Sequence, residues 1–284
     1  MVSGFCLVSN ASHYPFEEAI KSWLPVLDEL VVVASEPDIQ AVKKIDKGIR
    51  IIKGKWERDW TYWRMNYNFN KGFEACKGDI VLKFDADRIL HEGDYGLFRQ
   101  DIKKTIDNGH ITLTIARRNV RIVDRYAEQK RHALVLNRKK EMIKFGIDYE
   151  TVGFHNNFVV FKEKKYKLNL GKVIGDFGSS LESSVREYNY SCCFFTKEQT
   201  IEKYYRYHNA IEKQKKLMGL PYKLITRKEA QDLLKETMIE KGIDKCTKLK
   251  LEEHPKVIQD RIRNLKPEQM GYSYWGIEKA SYYV

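Results

Sequence analysis

The sequence predicts an α/β protein with a mostly parallel β-sheet flanked by helices. Short apolar runs rich in Val, Ile, Leu and Phe occur at residues 3–9, 30–34, 49–53 and 80–84. Such runs are typical of strands that are buried on both faces. The segments between them are long enough for crossover helices, and the order β-α-β-α-β-α-β favours right-handed parallel connections. Ligands of such sheets bind beyond the carboxyl ends of the strands.

The segments between these strands carry helix signals. Pro15, followed by two acidic residues after Phe16, predicts the start of a helix that stops before Pro25. Pro37 predicts the start of a second helix, which ends near Gly48. The third predicted helix covers residues 62–76. These helices would cover the faces of the sheet.

The second half of the chain is less regular. Further strands are predicted at residues 111–116, 133–136, 158–161 and 166–168, and further helices at residues 196–217, 227–241 and 255–264. We therefore expect one domain over residues 1–195 and a helical C-terminal extension over residues 196–284 that packs on it.

Composition indicates a globular protein. Of the 284 residues, 43% are hydrophobic and 32% are charged. No apolar run approaches the roughly 20 residues of a membrane helix. The N-terminus lacks a basic stretch and a cleavage site, so we expect a cytoplasmic protein without a transmembrane segment. The five cysteines show no metal-ligand spacing, which favours reduced, buried thiols.

The chain is basic. Its 51 Lys and Arg residues exceed its 39 Asp and Glu residues, for a net charge of +12. A basic surface suits an anionic partner such as a nucleotide, a nucleic acid or an anionic membrane. A solvated lysine-rich surface without a partner is the alternative interpretation.

Two aspartates, Asp85 and Asp87, follow the fourth apolar run. On an extended backbone, their i, i+2 spacing would point both carboxylates to the same side. Because the two charges repel each other, we expect a cation between them. Mn²⁺ or Mg²⁺ that also binds a diphosphate is the natural candidate. The alternative is a solvated turn. Asn10 and Glu36 follow the first and second strands and would share this edge.

These elements and the aspartate pair resemble a GT-A glycosyltransferase, in the broad manner of family 2. Gly-Asp at 78–79, Ala-Asp at 86–87 and Leu-His-Glu at 90–92 are similar to the GDW…QADEVLHE stretch of a bacterial, archaeal and viral branch. The resemblance covers residues 3–92 and is faint beyond residue 120. This chain departs from that branch in having Asp85 in place of Gln or another neutral residue and Arg88 in place of an acid. Relatives often supply a late His as a further metal ligand, but residues 188–192, near the expected place, contain no His.

The resemblance implies a Rossmann-like fold and transfer of a sugar from a nucleotide-diphosphate donor, with a UDP-sugar favoured. The acceptor would be a hydroxyl on a glycan or lipid-linked glycan, and the transfer would invert the anomeric centre. Asp87 would bind the metal, and Asp85 would contact the ribose or a metal-bound water. The other implied donor-site residues are Asn10, Glu36, Trp56 and Glu57.

Inverting transfer needs a carboxylate that takes the proton of the acceptor hydroxyl. Asp148 and Glu150 lie in a glycine-flanked aromatic segment, residues 145–154, and are the candidates. Asp176, between two glycines, is the reserve. The alternative interpretation of each is an exposed surface acid.

Other functions remain open at this point. A basic surface would also suit a glycosyltransferase that acts on hydroxymethylated bases in DNA, or a non-enzymatic nucleic-acid-binding protein. A nucleotidyltransferase would share the layout, but residues 10–14 lack the basic, glycine-rich loop that such enzymes usually carry. The arginine cluster, Arg117 to Arg131, would clamp a diphosphate or an anionic acceptor, or else form a solvated hairpin.

Overall fold

The computed structural model describes most of the chain. The described residues are 1–9, 11–56, 62–110, 112–137, 143–144, 159–160, 168–169, 172–173, 180–217, 219–236 and 246–272. The strands are β1 (Val2–Val8), β2 (Glu29–Ala34), β3 (Arg50–Lys53), β4 (Ile80–Asp85), β5 (Arg88–Leu90), β6 (Thr112–Ile122), β7 (Arg125–Asn137), β8 (Ile143–Lys144), β9 (Val159–Val160), β10 (Leu168–Asn169), β11 (Lys172–Val173), β12 (Ser180–Asn189) and β13 (Thr247–Lys248). The helices are α1 (Phe16–Trp23), α2 (Ile39–Lys43), α3 (Tyr62–Ala75), α4 (Tyr95–Asp107), α5 (Lys197–Leu217), α6 (Arg227–Lys235) and α7 (Lys256–Arg263).

The main sheet has the strand order β3-β2-β1-β4-β7-β6-β12-β5, and β13 pairs with β7. Strands β1 to β4 are parallel to their neighbours among these four. Strand β7 is antiparallel to both β4 and β6, whereas β6 and β12 are parallel. The pairs β8–β9 and β10–β11 form separate small ladders. The predicted α/β class with a parallel four-stranded sheet and flanking helices is confirmed.

Strand alternation divides the core between the two faces of this sheet. On β1, Cys6 packs in a cluster with Trp23 of α1 and Phe98 of α4. The adjacent Phe5 points to the opposite face and packs with Phe69 of α3. Because both faces are covered, β1, β2 and β4 are buried along most of their length and largely apolar, which is why the sequence reveals them.

Two elements differ in length from the prediction. Helix α2 ends at Lys43 rather than near Gly48. The N–H groups of Lys44 and Ile45 donate to the carbonyls three residues before them, and the N–H of Gly48 donates to Asp46 Oδ1 at 2.6 Å, so the chain continues in tight turns. Strands β6 and β7 together form a hairpin that is longer than the predicted apolar segments. The additional residues are largely charged, including Arg117 and Arg118, so they carry no apolar strand signal.

Strand β12 was not predicted. Its buried positions include Ser183, Val185 and Glu187, while the intervening side chains are exposed. Two of these three buried side chains are polar, so the period-2 apolar pattern on which strand prediction depends is missing. The described cysteines are free thiols, and Cys6 and Cys76 are buried.

Trp23 anchors α1 to the sheet beside the β4–β5 turn. It is fully buried, stacks on Phe84 with ring centroids 5.5 Å apart, and meets Phe98 edge to face at 5.6 Å. Its indole N–H donates to the carbonyl of Arg88 at 2.9 Å. One side chain therefore links the α1 face of the core to the first residue of β5.

His254 attaches the C-terminal region to the sheet. It is fully buried, with Nε2 2.7 Å from the carbonyl oxygen of Val123 and Nδ1 2.7 Å from the hydroxyl of Tyr190. A carbonyl only accepts, so Nε2 carries the proton and Nδ1 accepts from the tyrosine. Burial lowers the pKa of His254 to about 4. The division between residues 1–195 and 196–284 stays a prediction.

We expect His254 to make the fold less stable in mild acid. In the unfolded chain its pKa is near 6.5, so between about pH 6.5 and 4 the unfolded chain binds a proton that the native protein excludes. Stability should fall by about 3 kcal/mol across this window. Urea unfolding of the wild type and of His254→Gln checks this, with His13→Gln, at an exposed position, as the control. Equal pH slopes for the wild type and His254→Gln would contradict it.

Within the part of the chain that the structure describes, no helix is both long enough and apolar enough to cross a membrane.

Candidate active site

The carboxyl ends of the parallel strands meet along one edge of the sheet. Beyond the strands, the N–H of Ser35 donates to the carbonyl of Val8, and the N–H of Gly54 donates to that of Ala34, both at 2.9 Å. The segments that follow β1, β2 and β3 are therefore held in register with one another. Strand β4 lies on the other side of β1 and ends at Asp85, so the order of the strands reverses between β1 and β4.

Two of the predicted donor-site residues are at this edge. Glu36 follows β2 and forms an ion pair with Lys53 of β3 at 2.5 Å, and both side chains are exposed. Trp56 follows β3 and is half-buried, and its Nε1 has no hydrogen-bond partner among the described residues. The side chain of Glu36 is thus exposed at this edge of the sheet. The indole N–H of Trp56 is a buried hydrogen-bond donor at the same edge.

Five further predicted residues lie outside the described residues, and their roles stay predictions. They are Asn10, Glu57, Asp148, Glu150 and Asp176.

Asp85 is engaged by two cations. Its Oδ1 is 2.5 Å from Nζ of Lys83, and its Oδ2 contacts Nη2 of Arg88. The Lys83 side chain is only 2% exposed and lies 4.9 Å from the ring centroid of Phe69. Burial alone would raise the pKa of Asp85, but Arg88 and Lys83 outweigh burial and hold that pKa well below its usual range. Asp85 is therefore ionised, with a cation at each oxygen.

Arg88 extends this network into the second half of the chain. Its Nη1 is 3.4 Å from Oε1 of Glu187, which is fully buried on β12. The same oxygen accepts from Nε of Arg117 on β6 at 2.6 Å, and Arg117 Nη1 donates to Gln129 on β7 at 3.1 Å. A chain of buried charges therefore connects β4, β5, β12 and β6.

Asp87 lies in the turn between β4 and β5, so the expectation that strand alternation aligns it with Asp85 is wrong: the strand ends at Asp85. Its carbonyl accepts from the backbone N–H of Tyr190 at 2.9 Å. Its Oδ2 is 3.9 Å from Nζ of Lys203, and its side chain is 13% exposed. Asp87 thus faces α5, and its charge adds to that of Asp85 in raising the pKa of Arg88.

Lys203 is a residue of this site that the sequence did not reveal. Its Nζ donates to Oγ and to the carbonyl oxygen of Ser191, at 2.6 and 3.0 Å. The rings of Tyr14 and Phe195 lie 4.7 and 5.1 Å from the ammonium. Burial opposes the charge, but Cys192, Tyr14 and Asp87 raise the pKa of Lys203 above its usual value. The lysine is therefore charged at neutral pH.

Nothing in the local pattern of α5 shows that the helix returns to the end of β4. The only sequence signal is a lysine followed by aromatic residues, which is equally typical of a helix that packs on its neighbours.

These side chains do not fit the predicted Mn²⁺ or Mg²⁺ in their present arrangement. Such an ion is usually held by one or two carboxylates together with phosphates and water. Here both oxygens of Asp85 already contact cations, and Asp87 faces an ammonium. A divalent cation about 4 Å from that ammonium would be repelled by about 8 kcal/mol at an effective dielectric constant of 20. The described residues also contain no cluster of three or more His, Cys, Asp or Glu side chains that could hold a metal.

Part of the arginine cluster is paired with residues of β7 and β12. Arg117 binds Glu187, as described above. Arg118 donates to the hydroxyl of Tyr188 at 2.5 Å and lies 3.5 Å from Glu128. These two arginines therefore hold β6, β7 and β12 together.

Comparisons with known proteins yield only distant likenesses. No protein-family model and no curated protein sequence matches the chain. Among solved structures, residues 1–349 of Staphylococcus aureus TarS in complex with UDP-GlcNAc match with a TM-score of 0.34 and 21% identity, over 42% of this chain and 35% of that one. A 4-diphosphocytidyl-2C-methyl-D-erythritol synthase from Anaerococcus prevotii matches with a TM-score of 0.33 and 16% identity, over 49% and 70% of the two chains.

These matches do not assign the chain to a family. The chain spans about a third of the TarS fragment that it matches.

Proposed function

We propose that the protein is a glycosyltransferase that moves a sugar from a nucleotide-diphosphate donor, with a UDP-sugar favoured, to an acceptor hydroxyl. The observation that supports this most is the position of Asp85 and Asp87. They follow β4 at the point where the order of the parallel strands reverses between β1 and β4. In open α/β sheets, this reversal opens a crevice that binds ligands, often nucleotides.

The remaining roles follow from position along that edge. The nucleoside would lie over the ends of β1 to β3, and its diphosphate over the end of β4. The residues proposed for the nucleoside and donor contacts are Asn10, Glu36, Trp56, Glu57 and Asp85.

In the transfer itself, the bond between the anomeric carbon and the β-phosphate oxygen breaks, and its electron pair stays on the diphosphate. The acceptor oxygen bonds to the opposite face of that carbon and gives its proton to a carboxylate base. Asp148 and Glu150 are the proposed bases, with Asp176 in reserve.

A panel of UDP- and GDP-sugars tests this function. The protein is incubated with each sugar in Mn²⁺, in Mg²⁺ and in EDTA, and nucleotide release is followed. We expect release from at least one donor. Because Asp87 lies 3.9 Å from the Lys203 ammonium and would orient the cation that faces the diphosphate, Asp87→Asn should lower turnover by about 100-fold or more. Asp79→Asn, at the other end of β4, is the matched control and should retain turnover.

Release from no donor under any of the three conditions would refute the glycosyltransferase. Equal turnover by Asp87→Asn and the wild type would refute the proposed location of the site.

The acceptor is tested separately. We favour a glycan or lipid-linked glycan. The net charge of +12 also supports a second candidate, glycosylation of hydroxymethylated bases in DNA. Nucleotide release that is stimulated by hydroxymethylated DNA and falls steeply with salt supports the second candidate. DNA binding without any release would instead indicate a non-enzymatic nucleic-acid-binding protein.

A further inference from the structure

The geometry points to Lys203 as the cation that binds the diphosphate and neutralises it as it leaves, in the place of a divalent metal. This inference rests on the proposed function and adds to it the group that stabilises the leaving diphosphate. The cations that already surround the two aspartates do not suit the predicted metal ion.

The first support is the way Lys203 is held. A lysine ammonium is strongly hydrated and its stem is flexible, so a surface lysine normally extends into water. Here Ser191 fixes the ammonium through two oxygens, at 2.6 and 3.0 Å, and the rings of Tyr14 and Phe195 flank it. The ammonium is thus placed in one position before any ligand arrives.

The second support is accessibility. The Lys203 side chain remains 29% exposed, and its partner Asp87 lies 3.9 Å away, farther than a direct hydrogen bond. The ammonium also shares a hydrogen bond with the Tyr14 hydroxyl, so an incoming oxygen ligand would reach the ammonium from its exposed side and take the place of that hydroxyl. A phosphate oxygen, which carries more charge than a hydroxyl, is the ligand that suits this position.

The third support is the balance of charge. Asp85 is already compensated by Lys83 and Arg88, and Glu187 by Arg88 and Arg117. The carboxylates of Asp85 and Glu187 are thus already bound by cations of this network. A divalent cation at the end of β4 would meet the positive charges of Arg88 and Lys203, whereas the phosphate oxygens of a diphosphate would be attracted by them.

The rival explanation is that Lys203 only ties α5 to the β4–β5 turn. In that case its replacement would lower stability but would change neither nucleotide affinity nor the response to metal ions. Nucleotide binding with and without a divalent ion separates the two explanations.

The variants are Lys203→Met, which keeps the length of the apolar stem, and Lys203→Arg, which keeps the charge. Lys216→Met is the control, because Lys216 is an exposed lysine of the same helix about 20 Å along its axis. Folding is checked by thermal unfolding. Binding of UDP and of GDP is measured by calorimetry in EDTA and in Mn²⁺, and turnover of the active nucleotide sugar is measured under the same conditions.

We expect the wild type to bind the preferred nucleotide with affinities in EDTA and in Mn²⁺ that agree within about threefold. In EDTA, Lys203→Met should bind it at least 10-fold more weakly, and Lys203→Arg should retain most of the affinity. Since Lys203→Met frees Asp87 from its ammonium partner, Mn²⁺ should restore part of the binding and turnover in that variant. Lys216→Met should behave as the wild type does.

Two results would overturn the inference while leaving the glycosyltransferase intact. One is wild-type turnover that needs Mn²⁺ and stops in EDTA. The other is a folded Lys203→Met protein that binds the nucleotide as tightly as the wild type. The absence of nucleotide binding and of turnover under every condition would refute the proposed function itself, and this inference with it.

Discussion

Replacing Glu187 by Gln is expected to destabilise the fold by about 3–5 kcal/mol. Glu187 is fully buried, and its Oε1 is 2.6 Å from Arg117 and 3.4 Å from Arg88. The amide keeps the shape of the side chain but removes the charge, so two largely buried guanidinium groups lose their shared counterion. Breaking a buried ion pair on one side costs more than the pair contributes, because the remaining charge stays desolvated.

Urea unfolding measures this loss. Glu182→Gln makes the same chemical change at an exposed position of the same strand and should cost less than about 0.5 kcal/mol. In the double variant with Arg117→Gln, the two losses should not add, because the two side chains interact directly. A loss of stability below about 1 kcal/mol for Glu187→Gln would show that the charged network does not hold β5, β6 and β12 together.

Trp23→Ala should cost a similar amount, about 3–5 kcal/mol. The substitution removes a fully buried ring that contacts both Phe84 and Phe98, and the resulting cavity cannot be filled by neighbours that are fixed in the sheet and in α4. Thermal or urea unfolding gives the loss directly.

Trp23→Phe separates packing from hydrogen bonding. It keeps a ring in the core but removes the N–H that donates to Arg88 at 2.9 Å. We expect a loss of about 1–3 kcal/mol, the cost of an unsatisfied buried carbonyl. Because this carbonyl begins β5, directly after the aspartate pair, turnover should also fall. Unchanged stability in Trp23→Phe would mean that the indole N–H does not hold the turn.

The first half of the fold could be predicted because its strands are buried on both faces. Val31, Val32 and Val33 are all fully buried, so they form an apolar run that is visible without any partner. In the second half of the chain, charged residues occupy positions inside the sheet, so the strands show no apolar run. Arg117 on β6 and Glu187 on β12 lie inside the sheet only because each neutralises the other, and a pairing across 70 residues leaves no local pattern.

Sequence-based prediction of the candidate site is limited in the same way, because some of its contacts join residues that are far apart in the chain. The sequence predicted that Asp85 and Asp87 end the fourth strand, and the structure confirms that β4 stops at Asp85. The cations around them could be predicted only in part. Lys83 and Arg88 are close in sequence, although nothing local shows that both contact Asp85. Lys203 reaches Asp87 only because α5 packs beside residues that follow β1 and β12.

The strand pairing of β5 has a consequence for how the protein is made. Residues 88–90 pair with residues 187–189, and the carbonyl of Asp87 accepts from the N–H of Tyr190. A ribosome adds roughly 5–20 residues per second, so about 5–20 s separate the synthesis of the two partners. During this delay the nascent chain can form β1 to β4. Asp87 and β5 still lack residues 187–190, with which they pair in the folded protein. Pairing of β5 with β12 must therefore be a late event in biosynthesis, after β1 to β4 have already emerged.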